Sequence, residues 1–286
     1  MKITEIINSS KPSLSFEVFP PKRFENLEEV SRSVSAIAAL KPGYMSVTYG
    51  AGGSTDVYTP EIASLVASHG VTPLAHLTCV GCNKEKIALM LLELKERGIK
   101  NILALRGDIP DGKTTDDLTY RYASELVADI RNFGGFCIGG ACYPEGHPES
   151  INRDADVENM KKKIDAGCEF LTTQMFFDNR IIYDYMERLS AAGISLPVVP
   201  GIMPITNASQ VKRIVAISGN ELPGELIKIT EKYADDSKAM YDAGIEFATE
   251  QILELYRSGF NAIHVYSMNK PDVAAIIQRN LKGIVL

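Results

Sequence analysis

The chain reads as an α/β protein, a (β/α)8 barrel with an extra helix before the eighth strand. Three observations predict it. Eight apolar runs of strand length are each followed by a stretch of helical period. No linker or low-complexity tract divides the 286 residues, so 1–286 reads as a single barrel domain. No G-x-G-x-x-G turn follows a strand, as a doubly wound open sheet binding a dinucleotide would want; Gly50-Ala51-Gly52-Gly53 lacks that spacing.

The first strand is Leu14-Ser15-Phe16-Glu17-Val18-Phe19, ended by Pro20 and Pro21, which cannot donate to a ladder. Leu27, Val30, Val34, Ile37 and Leu40 then fall at helical spacing. Tyr44 to Tyr49 is the second strand, a helix over about 58–69 follows, and Pro73 to Cys79 is the third. A helix over about 83–97 shows Ile87, Leu91 and Leu94 on one side, and Asn101 to Leu105 is the fourth strand. The turn-rich stretch 109–116 precedes a helix marked by Leu118, Tyr122, Leu126 and Ile130. Phe136 to Tyr143, Phe170 to Phe177, Leu196 to Met203 and Ala262 to Ser267 are the remaining strands. Helices fill about 154–166, 178–192 and 271–281. Asn207-Ala208-Ser209-Gln210 matches a capping box opening the helix after the seventh strand. Residues 222–258 read as helix in two pieces.

Composition excludes several classes. Hydrophobic content of 45% and charged content of 23% are those of an ordinary globular domain. No apolar run approaches the roughly 20 residues of a membrane span. Met1-Lys2-Ile3-Thr4-Glu5 opens no signal-peptide core, so a cytoplasmic protein without a membrane partner is expected. A net charge of −6 with no basic stripe argues against nucleic acid. Cys79, Cys82, Cys137, Cys142 and Cys168 are an odd, scattered set unlike a disulfide framework. Cys79 and Cys82 have C-x2-C spacing with His76 nearby, but no second pair completes a ligand set, so no metal is expected.

Barrels of this class carry their sites where the strands end. Those ends supply Glu17, Thr48, Tyr49, His76, Thr78, Arg106, Asp108, Tyr143, His147, Gln174 and Tyr266. Glu17 stands out as one carboxylate in an apolar run, where desolvation raises a carboxyl's pKa toward that of a working acid. Taken alone, the stretch fits better a glutamate on the wet face of an edge strand, or one paired with a buried arginine. The ring of polar strand ends shifts the reading toward a shared cavity. Arg106 beside Asp108 is expected to keep that carboxylate ionised. There is no nucleophile elbow and no strand lysine, so a bound cofactor is expected to carry the hard chemistry.

Longer segments carry a resemblance. They are Ser15-Phe16-Glu17-Val18-Phe19-Pro20-Pro21, Ser46-Val47-Thr48-Tyr49-Gly50, Ala75-His76-Leu77-Thr78-Cys79, Ala104-Leu105-Arg106-Gly107-Asp108, Tyr143-Pro144-Glu145-Gly146-His147-Pro148, Lys163-Ile164-Asp165-Ala166-Gly167, Thr173-Gln174-Met175-Phe176-Phe177-Asp178 and Pro200-Gly201-Ile202-Met203-Pro204. In this order, over almost the whole chain, they resemble the 5,10-methylenetetrahydrofolate reductase family. The resemblance implies FAD at the strand ends. It takes a hydride from a donor and passes it to methylenetetrahydrofolate in a ping-pong exchange, giving 5-methyltetrahydrofolate. Glu17 then matches the general acid and Asp108 the residue that holds the pterin and tunes the flavin. Thr48, Tyr49, Ala51, His76, Arg106, Gly107, Asp108, Tyr122, Ala123, Tyr143, His147, Asp156, Asn159, Lys162 and Lys163 match flavin-binding positions. Arg106 and the lysines suit a pyrophosphate, and the tyrosines suit rings. Gln174, Gln210 and Lys270 match substrate contacts, with the capping box an equally good account of Gln210.

Two positions depart from the family pattern: Ile214 stands where an aromatic often stacks on substrate, and Lys270 replaces an arginine, keeping charge without the bidentate fork. The donor is left open between NADH, NADPH and an electron-transfer protein. The family's habit implies a homo-oligomer. Two other classes stay open: a metal- or corrinoid-linked methyltransferase using Cys79, Cys82 and His76, and a flavin-binding subunit inactive on its own.

Overall fold

The computed structural model describes residues 1–21, 23–49, 58–109, 112, 114–211, 214 and 222–285. All its ladders are parallel. The strands are β1 (Ser13–Val18), β2 (Tyr44–Val47), β3 (Thr72–Thr78), β4 (Asn101–Leu105), β5 (Cys137–Cys142), β6 (Phe170–Thr173), β7 (Val198–Val199), β8 (Gly201–Ile202) and β9 (Ala262–Val265). Their order is β7-β6-β5-β4-β3-β2-β1-β9-β8. β7 and β8 are two halves of one stave, so the sheet closes as the expected eight-stave barrel.

The seventh strand differs from the continuous run expected over Leu196 to Met203. Pro200 has no N–H and interrupts it. The first half pairs with β6 and the second with β9. Pro200 still accepts from His264 N at 2.9 Å. Gly201 is needed where the halves turn: a Cβ there would lie 2.5 Å from both Thr173 O and Tyr266 Oη.

The helices are α1 (Ile3–Ile7), α2 (Leu27–Ala38), α3 (Thr59–Ser68), α4 (Lys84–Glu96), α5 (Ala123–Phe133), α6 (Arg153–Ala166), α7 (Asn179–Ala191), α8 (Gly224–Lys232), α9 (Ser237–Arg257) and α10 (Pro271–Asn280). Several start where a side-chain oxygen satisfies an orphan N–H: Asn83 accepts from Lys86 N, Asn152 from Ala155 N, and Asp236 from Lys238 N and Ala239 N. α8 and α9 are the extra helical segment before the last strand. A Cβ at Gly244 would lie 1.6 Å from Ile205 O, so only glycine lets α9 reach the exit of the seventh stave.

Two corrections concern local structure. α5 begins at Ala123, so Leu118 and Tyr122 lie before it; Tyr122 is its exposed N-cap residue. α1 is a further element that the periodicity did not show, because five residues are too few to display a 3.6-residue repeat. It closes the N-terminal mouth. Ile3, Ile6 and Ile7 join Tyr44, Leu74, Leu103, Cys137 and Phe170 in one cluster. Asn101 fastens it, accepting from Ile3 N at 2.9 Å and donating to Met1 O at 3.2 Å.

The larger core lies between the sheet's outer face and the helices. On β1, Leu14, Phe16 and Val18 are buried in it. The pleat therefore sends Ser15 and Glu17 to the barrel interior. No helix among the described residues is long and apolar enough to cross a membrane.

Candidate active site

Glu17 sits inside the barrel and is 7% exposed. β1 has a neighbour on each side, so the edge-strand alternative fails. No arginine pairs with it among the described residues; its neighbours are two histidines. His76 Nε2 lies 3.6 Å and His264 Nε2 4.0 Å from Glu17 Oε2. Burial pushes the Glu17 carboxyl up to about 8 and drives both imidazoles down to about 3. At pH 7 this is a cluster of a neutral acid and two neutral rings, not a salt bridge.

Parallel register assembles the cluster. Glu17 is level with Ser46 on β2, and Ser15 with His264 on β9. Ser46 Oγ lies 3.0 Å from His264 Nε2 and 3.5 Å from Glu17 Oε2. Ser15 Oγ lies 2.8 Å from His264 Nδ1 and donates to Ile263 O at 3.1 Å. Tyr44 stacks on the His264 ring at 5.6 Å, and Tyr266 meets it edge-on at 5.4 Å. His76 Nε2 is buried with no hydrogen-bond partner among the described residues.

The chain leaving β1 is held by the turn after β9. Ser267 Oγ donates to Glu17 O at 2.8 Å. Asn269 accepts from Phe19 N at 2.8 Å and donates to Phe19 O at 2.9 Å, as a neighbouring strand would. Met268 and Asn269 have φ of 54° and 56°, a strained pair that these bonds hold in place.

A second cluster gathers at the ends of β4 and β5. The expected Arg106–Asp108 pair does not form. Gly107, with φ +88°, breaks the alternation that would have aligned them. The Arg106 fork donates to both carboxylate oxygens of Glu149 at 2.6 and 2.5 Å, and Asp108 is exposed at the mouth. That pairing holds the Glu149 carboxyl below its usual range. Tyr143 packs edge-on to His147 at 4.6 Å; burial and then the charge of Asp108 push its phenol up to about 12. Asp156 is buried, accepts from Ser150 Oγ at 3.2 Å, and is raised by desolvation. Lys163 is not a mouth cation: it lies at the seam of α6 and β5, its ammonium donating to Ala141 O at 2.6 Å. Lys162 donates to Asn159 on the exposed side of α6. Thr48 and Tyr49 follow β2, and Tyr49 Oη donates to Met90 Sδ at 3.1 Å. Ala51 lies outside the described residues.

The candidate substrate residues fall beyond β6, the seventh stave and β9. Gln174 sits one residue past β6, where its N–H still donates to Cys142 O. Gln210 and Lys270 meet at one hydroxyl: Lys270 Nζ donates to Thr206 Oγ1 at 2.8 Å, which donates to Gln210 Oε1 at 3.0 Å. The capping box is formed as well, with Asn207 N donating to Gln210 Oε1 and Gln210 N to Asn207 Oδ1. Ile214 is buried in a satellite cluster with Phe177, Ile205 and Leu226. Cys79 and Cys82 are buried thiols outside any disulfide, and no group of three His, Cys, Asp or Glu among the described residues could hold a metal ion.

His264, Ser46, Glu149 and Asn269 are absent from the candidates read in the sequence. For His264 a signal existed: it stands two residues before Tyr266 in a strand run, so the two share one face, opposite Ile263 and Val265.

Comparison with known proteins bears on this arrangement. A 5-methyltetrahydrofolate-binding protein of Clostridium thermocellum superposes with a TM-score of 0.68 over 99% of both chains at 13% identity, a likeness of fold. Arabidopsis thaliana methylenetetrahydrofolate reductase (NADH) 1 is 35% identical over 98% of this chain and 50% of its own length. The 5,10-methylenetetrahydrofolate reductase of Escherichia coli is 32% identical over 94% of this chain and 90% of its own. This chain thus spans about half the length of the plant relative and nearly all of the bacterial one. The methylenetetrahydrofolate reductase family model matches residues 2–282, and the chain belongs to that family.

Proposed function

We propose that this chain reduces 5,10-methylenetetrahydrofolate to 5-methyltetrahydrofolate, with FAD as resident cofactor and Glu17 as general acid. The observation that carries the reading is a buried carboxyl, protonated at neutral pH, at the end of β1 inside a ring of polar strand ends.

The residues present fit a flavin. The unpartnered, buried Nε2 of His76 offers a hydrogen-bonding atom, donor or acceptor according to its tautomer, to a polar heterocycle edge. The Tyr143–His147 pair offers ring surface. Arg106 already holds a bidentate anion, the half-exposed Glu149 carboxylate, which a diphosphate could replace in the same fork. When bound, FAD supplies the hydride by ping-pong exchange. Glu17 gives its proton to the folate nitrogen released as the five-membered ring opens, which is work for an acid with a pKa near 8. Gln174, whose Oε1 accepts from Met175 N, keeps its amide nitrogen as a donor to the pterin. Lys270 provides a cation for an acidic tail, and Gln210 steadies it through Thr206. NADH is the proposed donor, in line with the name of the plant relative.

Anaerobic half-reactions test the reading. Glu17→Gln takes up FAD and is reduced by NADH at the wild-type rate, while its folate half-reaction falls about 10²–10⁴-fold. Wild-type folate reduction in this variant would refute the assignment.

A further inference from the structure

We propose that Thr206 is a positioning residue that sets Gln210 and Lys270 as a pair of donors for a carboxylate on the folate tail. The inference rests on the reading of the chain as a folate reductase and adds to it what arms the tail site.

Every bond direction at this hydroxyl is forced by the groups that meet there. The Lys270 ammonium carries only protons, so it donates to Thr206 Oγ1 at 2.8 Å. The one proton of that hydroxyl goes to the Gln210 carboxamide at 3.0 Å. The carboxamide atom that takes it is the oxygen, because the backbone N–H groups of Thr206 and Asn207 also donate to it, at 2.7 and 3.1 Å. Three bonds therefore fix Gln210 Oε1. Its amide nitrogen bonds to nothing among the described residues and is what remains for a ligand. The two roles read for Gln210 thus divide between its atoms: the oxygen closes the capping box, and the nitrogen is left for substrate.

The lysine is fixed at both ends. Its backbone N–H donates to Ser267 O at 3.0 Å, closing the turn that holds Met268 and Asn269 at positive φ, and Pro271 opens α10 directly after it. Its ammonium is tethered to Thr206, which is buried. β8 pairs with β9, so the tether spans the exits of neighbouring staves. Two ammonium protons stay free. A lysine lacks the preset fork of an arginine, and the threonine supplies the direction that the side chain lacks by itself. Two groups hung on one oxygen then offer protons and no lone pair. They suit a group that only accepts, as a carboxylate does.

Thr206→Val keeps the shape of the residue and removes the hydroxyl, and Thr206→Ser keeps the hydroxyl. The folate half-reaction is followed in both variants with methylenetetrahydrofolate and with its tail dimethyl ester, which has lost the tail charge. In Thr206→Val the half-saturating concentration of the acid is expected to rise about tenfold, because substrate must itself order the lysine, while that of the ester and both limiting rates stay within about twofold of wild type. Thr206→Ser is expected to match the wild type. Thr206→Ala replaces Thr206→Val should the latter fail to fold. An unchanged half-saturation for the acid in the folded variant would overturn the inference. So would an equal rise for acid and ester, or a lower limiting rate that the serine does not rescue, since each marks a merely structural residue. Failure of the functional reading is told apart from these, because it shows as absence of folate reduction in the wild-type chain itself.

Discussion

At the strand ends three titratable residues, Glu17, His76 and His264, share a space in which none is charged at pH 7, and their opposite chemistry gives stability two opposed pH dependences. The Glu17 carboxyl titrates near 4.5 when unfolded and near 8 when folded. Between those values the folded chain holds the extra proton, so this group's contribution falls as pH rises through the window. The histidines titrate near 6.5 unfolded and near 3 folded, so the unfolded chain holds the extra protons there and stability rises from pH 3 to 6.5. Glu17→Gln removes only the first effect. Its melting temperature is therefore expected to exceed the wild-type value by a margin that widens from pH 5 to pH 8 and is flat beyond. Calorimetry across that range checks it, and a margin constant with pH would contradict the burial argument.

Among the elements, the seventh stave does the most to shape the site. Its halves serve different neighbours, and its exit carries Thr206, the hydroxyl on which Lys270 and Gln210 converge. Gly201→Ala puts a methyl group against the Thr173 carbonyl and the Tyr266 hydroxyl and is expected to cost about 1–3 kcal/mol, read as a lower urea midpoint with unchanged slope. The longer helices and most strands are legible in the sequence because their apolar periods are long, whereas the five-residue α1 is not. The break at Pro200 is less so, since proline also ends strands without splitting them. Glu17 is legible as a lone charge in an apolar run. His264 and Ser46 are not, because their roles depend on register between strands 218 residues apart. Arg106 misleads for a related reason: adjacency to Asp108 says nothing of Glu149, 43 residues on.

Across the whole molecule, the two mouths of the barrel divide the labour. α1 and its isoleucines fill the N-terminal end, and every candidate site residue at a strand end lies at the other. Ile3→Ala is expected to cost about 2–5 kcal/mol in calorimetry or denaturant unfolding. Its FAD uptake, followed by flavin absorbance, should match the wild type. A loss of FAD affinity in the folded variant would show the ends to be coupled.

The first and last staves are neighbours, and Ser267 and Asn269 tie residues 17 and 19 from 250 positions downstream. During synthesis the acid therefore leaves the ribosome 250 residues before the serine that ties down its backbone. Until Ala262–Val265 emerges, Ser13–Val18 presents a bare apolar edge, open to pairing with other nascent chains. Closing so long a loop is only weakly more costly than closing a short one, so the delay is set by translation rather than by chain entropy. A polypeptide cut short before Ala262 would lack the strand and turn that complete the acid's surroundings and would leave Ser13–Val18 as an uncovered edge.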